Sequence, residues 1–264
     1  MKARTVRFLP AVVLLLLSGC AAHVNHLRDA QAAFNEAATF ENDTRVQART
    51  STPMAIQSGY GAVVVSLSKL EQDGDALKQL RQDNLYGNVL ALKALAYWRL
   101  RKYDLASASG EAALREGLEP GTRDRALMIA LPALIRNDQA HARLYSPGER
   151  DLAQKPDERL AAITQLLASN VKILDDAVIG LEPQHPMQAY LATVGLVTMK
   201  NFVDACAKLA GDLAKQKACA DEGKLKCRSE LYLTRLRSAG SDPSAVLPLI
   251  QGTGADMKAH VNAC

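Results

Sequence analysis

Aromatic residues are scarce in this chain: four Phe, seven Tyr and one Trp make up 5% of its 264 residues. β-branched residues are sparse outside a few apolar faces, and no set of alternating apolar and polar residues recurs as paired strands would require. No Cys-x-x-Cys occurs, and no histidine lies near the cysteines at 206–227. That argues against structural zinc and heme attachment. There is no Gly-x-Ser-x-Gly elbow, and "EPGTRD" (119–124) has neither the lysine nor the glycine spacing of a phosphate loop. Asp175 and Asp176 are adjacent, so on a helix they point about 100° apart and cannot work as a carboxylate pair. The reading is a non-enzymatic protein with no cofactor and no metal.

What is present starts with a three-zone leader. Lys2, Arg4 and Arg7 give it a positive start, and Phe8 to Leu17 form a ten-residue apolar core. At about 1.5 Å per residue that core covers roughly 15 Å, half of a ~30 Å hydrocarbon layer, so a secretion signal fits better than a membrane span. It closes on Leu17-Ser18-Gly19-Cys20, which resembles the lipobox of bacterial lipoproteins: a branched apolar residue, two small ones, then cysteine. The resemblance implies removal of residues 1–19, a diacylglyceryl thioether on Cys20 and an acylated, palmitate-type amino end. Each buried methylene contributes about 0.8 kcal/mol, so several chains together would hold the protein on its membrane. Ala21 stands where an aspartate is associated with retention at the inner membrane. The resemblance therefore implies the outer membrane, facing the periplasm, with the inner membrane or the cell surface as alternatives.

Loss of the leader lowers Lys plus Arg from 32 to 29 against 28 acidic residues, so the mature chain is near +1. No basic block remains, and no nucleic-acid partner is expected. Residues 20–264 are read as a single all-helical domain. Alanine and leucine dominate, which favours helix. Leu27, Ala30, Phe34, Ala37 and Ala38 share a face over 23–40. Residues 42–53 read as a loop, and 54–72 as a helix weakened by Gly59 and Gly61. Further helices are expected near 86–101, 103–118 and 122–144, the last kinked at Pro132. Residues 157–180 carry the cleanest seam: Leu160, Ile163, Leu167, Asn170/Val171, Leu174 and Val178. A long helical run covers 187–217, with bends expected near Gly195 or Asn201, and shorter helices cover 228–238 and 243–251.

Within 86–120 the pattern resembles one tetratricopeptide repeat. Leu90, Ala94 and Tyr97 match its first helix, and Tyr103, Ala106, Ala113 and Leu114 its second, with a closing Pro120 that comes two residues late. Gly110 stands where an aromatic is usual and Arg101 where glycine is common. Ala30, Phe34 and Ala37 echo the second helix. The resemblance implies an array of antiparallel helix pairs; the alternative is an irregular helical bundle.

Four cysteines follow the lipobox, and in an oxidising compartment they read as two disulfides. A local Cys219–Cys227 bridge across a polar turn at Gly223 is favoured, leaving Cys206–Cys264. His23 and His26 lie one turn apart but lack a third ligand, so they read as an exposed pair in a tether. His185, between two prolines, reads as a loop residue. Tyr86, Tyr97, Trp98 and Tyr103 cluster on the repeat-like stretch. They read as packing between helices, or as a concave groove for a peptide or an apolar ligand. The expected function is a membrane-anchored scaffold that binds an envelope protein in assembly or transport. The lipid-anchored partner subunit of tripartite transporters is similar in length and anchor. The alternatives are a carrier of a small apolar ligand or lipid, and an envelope hydrolase.

Overall fold

A computed structural model describes residues 22–46, 53–209, 219 and 222–241. The expected signal peptide, Cys20, Cys264 and the helix expected over 243–251 lie outside them. Among the described residues the chain is all-α, with ten helices and no strand. They are α1 (Ala22–Val46), α2 (Pro53–Gln72), α3 (Gly74–Gln82), α4 (Tyr86–Arg99), α5 (Tyr103–Glu116), α6 (Arg123–Tyr145), α7 (Glu149–Leu152), α8 (Pro156–Ile179), α9 (Gln188–Lys208) and α10 (Glu222–Ser238). None of them is long and apolar enough to cross a membrane.

The chain divides into two compact units at Leu118/Glu119. The division falls just after α5, which ends on Gly117 in the left-handed conformation (φ 95°), and just before Pro120 and Gly121. Glycine meets that backbone requirement without strain, and Pro120 cannot extend a helix.

In the first unit α1 and α2 pair antiparallel, α4 and α5 form a second pair, and α2 packs on α4. The apolar face read from the sequence is the one that packs. Ala30 joins Val63, Leu67, Leu70, Leu80, Val89 and Ala96 in one core cluster, with Leu27 and Phe34 against it. The "AVVVSL" stretch (62–67) is helical throughout, in spite of its three consecutive valines. Gly59 has a packing reason: a Cβ there would sit 2.9 Å from the Ala37 Cβ, so its absence lets α1 and α2 approach closely. The short α3 is capped by Asp73, whose carboxylate accepts from the Asp75 and Ala76 amides, both at 3.1 Å.

In the second unit α8 packs on both α6 and α9, and α10 packs on α9. The seam on α8 is buried throughout, from Leu160 at 7% exposed to Ile163, Leu167, Asn170, Val171, Leu174 and Val178 at 0%. Thr122 caps α6, and Pro156 opens α8 at a position where its missing N–H costs nothing. Pro132 lies inside α6, which continues on both sides of it. At Gly195 the ring of Tyr232 from α10 lies against the α9 backbone. A Cβ there would be 2.5–2.8 Å from three ring carbons.

Both expected disulfide pairings are corrected. Cys206, near the end of α9, is bonded to Cys219, with Cα atoms 5.8 Å apart. The stretch read as a turn at Gly223 is the opening of α10, which begins at Glu222. A helical rise of about 1.5 Å per residue carries the backbone of Cys227 roughly 7 Å past that start. Cys219, which precedes the helix, meets α9 instead.

Candidate functional site

α4 carries Tyr86, Lys93 and Tyr97 at steps of seven and four residues, which places them along one helical face. All three are half-buried. Glu71, from the end of α2, ties this face together. It accepts a hydrogen bond from the Tyr86 hydroxyl at 3.2 Å and pairs with Lys93 Nζ at 2.5 Å. The Lys93 Nζ also lies 6.0 Å from the centre of the Tyr97 ring. At the other end the Arg81 guanidinium sits 4.9 Å over the Tyr86 ring and pairs with Glu116 at 3.3 Å. Burial first, and then the Glu71 carboxylate, hold the Tyr86 phenol above the usual tyrosine range. It stays neutral and keeps its O–H as a donor.

The four aromatics singled out from the sequence therefore part company. Tyr86 and Tyr97 share the Glu71–Lys93 strip. Trp98 is about 100° further round α4 and only 7% exposed. The Arg99 guanidinium lies 4.5 Å over its ring and 3.9 Å from Glu41, whose carboxylate accepts from the Tyr60 hydroxyl at 2.8 Å. That arrangement is packing between helices. Tyr103, half-buried, opens α5. Lys93 was not singled out from the sequence, though its place between two tyrosines at helical spacing is a signal that could have found it. Glu71, Arg81 and Glu116 carry no such signal, since they come from other helices.

The histidines are corrected as well. His23 is not part of an exposed tether: it is 3% exposed, and its Nε2 lies 2.7 Å from Asp83 Oδ2. His26, one turn on, is exposed. His185 is a structural clamp. Its Nδ1 accepts from the Met187 amide at 3.1 Å, so its Nε2 donates to the Gly121 carbonyl at 2.8 Å, fixing the loop before α9. Asp175 is buried and accepts from the Tyr232 hydroxyl, whereas Asp176 is exposed, as the helical geometry requires.

The second unit holds two further polar clusters. Asn170 of α8 donates to Asn137 of α6 at 3.4 Å, and Asn137 donates to Thr198 of α9 at 2.5 Å, so a buried polar layer links three helices. Near the surface the Tyr145 hydroxyl donates to Asp204 at 2.6 Å; Asp204 also pairs with Lys200, and Lys208 lies 5.0 Å over the Tyr145 ring. Among the described residues no group of three His, Cys, Asp or Glu side chains could hold a metal ion. No protein-family model matches the chain, and no curated protein or solved structure matches it either.

Proposed function

We propose that the chain is a lipid-anchored, periplasm-facing adaptor that presents its first helical unit to a protein partner in the envelope. The lipobox-like Leu17-Ser18-Gly19-Cys20 supports the address. The tetratricopeptide-like pattern over 86–120 coincides with the α4–α5 hairpin, and its small positions Ala94, Ala106 and Ala113 are buried at 0% exposed. The observation that carries the reading is the tyrosine–lysine–tyrosine strip of α4. Two half-exposed rings and one cation are held in place by carboxylates and a guanidinium from neighbouring helices, so ordering them on binding costs little. Tyrosine in such a setting supplies apolar area and a donor together, as protein interfaces favour.

A photo-reactive residue at Tyr97, introduced into the full chain in cells, tests this. The expected result is one discrete adduct with an envelope protein, lost when Lys93→Glu is added. A label that spreads over many proteins, or is indifferent to Lys93, would refute the strip as a binding face.

A further inference from the structure

The anchor and the folded body are separated by almost no chain. Cys20 precedes His23 by three residues, and three extended residues span at most about 11 Å. His23 is not free to lengthen that reach: it is 3% exposed, lies near the start of α1 and is paired with Asp83. Asp83 closes α3, two residues after Arg81 and three before Tyr86, the first residue of α4. His23, three residues after Cys20, is thus tied by one short hydrogen bond to the corner where the candidate strip begins.

Resting on the anchor reading above, we infer that the α1 start and the α3–α4 corner form a bilayer-contact face, and that Tyr86 is held at headgroup height. The face carries both signs of charge close together. Arg28 and Asp29 are exposed on α1, and the side chains of Arg81 and Asp83 are 54% and 51% exposed at the corner. It therefore has no net electrostatic pull toward an anionic or a zwitterionic surface, and it is the short connection that keeps it there. Tyr97 lies about 16 Å further along the α4 axis than Tyr86. A partner reading the whole strip must itself reach the bilayer surface.

Trp98 is the single tryptophan of the sequence and sits on α4, which makes it a built-in gauge. The processed full chain is purified from a bacterial envelope, weighed by mass spectrometry and reconstituted into phosphatidylcholine vesicles carrying dansyl-labelled phosphatidylethanolamine. Energy transfer from Trp98 to dansyl is compared with that of a variant carrying twenty Gly/Ser residues between Ala21 and Ala22. Such a linker adds roughly 25 Å of root-mean-square reach. The expected result is a lipid-modified mass, strong transfer that salt does not change, and at least a twofold loss of transfer in the linker variant. A lipid-modified protein whose transfer equals that of the linker variant overturns the contact face while leaving the anchor intact. A chain of unmodified mass that does not float with vesicles overturns the anchor itself, and this inference with it.

Discussion

Gly195→Ala tests the packing of the second unit most sharply, because two effects of opposite sign compete at that position. Alanine is a better helix former than glycine by about 1 kcal/mol, so on an open helix face the substitution stabilises. Here the new Cβ would meet Tyr232 Cζ at 2.5 Å, Cε1 at 2.6 Å and Cε2 at 2.8 Å. Carbon atoms pack best at about 3.5–4.0 Å, so the ring must retreat by about 1 Å. It is poorly placed to do so. Tyr232 is 0% exposed, and its hydroxyl donates to the Asp175 carboxylate at 2.5 Å. Overpacking of this kind costs about 1–3 kcal/mol. Set against the propensity gain of about 1 kcal/mol, the net expectation is a loss of up to about 2 kcal/mol. At about 2–4 °C per kcal/mol for a domain of this size, that is a fall in Tm of up to roughly 8 °C, read by circular dichroism at 222 nm. The decisive comparison is the same substitution in a Tyr232→Leu background, where the ring is gone and Gly195→Ala should gain stability instead. An increase in Tm in the unaltered background, or the same sign in both, would show that the ring does not lie on the α9 backbone.

Three further outcomes follow from individual contacts. Arg101 adopts φ 57° in the turn between α4 and α5, a region that disfavours residues with a Cβ. Arg101→Gly should raise stability by about 0.5–1 kcal/mol in urea titrations, and a loss would refute the left-handed turn. Non-reducing peptide mapping should recover Cys206 linked to Cys219, and replacing both by Ala should cost about 2–3 kcal/mol for a loop of 13 residues; a Cys219–Cys227 peptide would contradict the bond. Burial first, and then the hydrogen bond and charge of Asp204, raise the Tyr145 phenol well above its ordinary range. The native state holds that proton more tightly than the unfolded chain does. Its contribution is therefore complete below pH about 10 and is lost as pH rises beyond it. Tyr145→Phe should flatten the alkaline fall in stability, and an unchanged slope between pH 10 and 12 would sink the assignment.

Helix by helix, the fold was legible wherever one face of the chain repeats every three to four residues. The α8 seam and the Leu27–Ala30–Phe34 face of α1 were readable because a buried stripe leaves its period in the sequence. The end of α1 and the start of α10 ran further than their local composition suggested: the polar residues up to Val46 and the stretch around Gly223 are helical. Turn-forming composition is a local preference, and packing of the neighbouring turns outweighs it. Tyr86 and Tyr97 parted from Trp98 only when α4 was set against α1 and α2, since Tyr97 and Trp98 are adjacent in sequence and differ only in the direction they face.

By itself the amino-acid order determined the all-helical class and the seams that face inward, because both are written in evenly spaced residues. Tertiary structure alone decided that Cys206 meets Cys219, that His23 is buried against Asp83 sixty residues away, and that Glu71 bridges Tyr86 and Lys93. Those pairings depend on how separate helices lie against one another. Side chains brought together by that packing have no fixed spacing along the chain, so no pattern in the sequence could announce them.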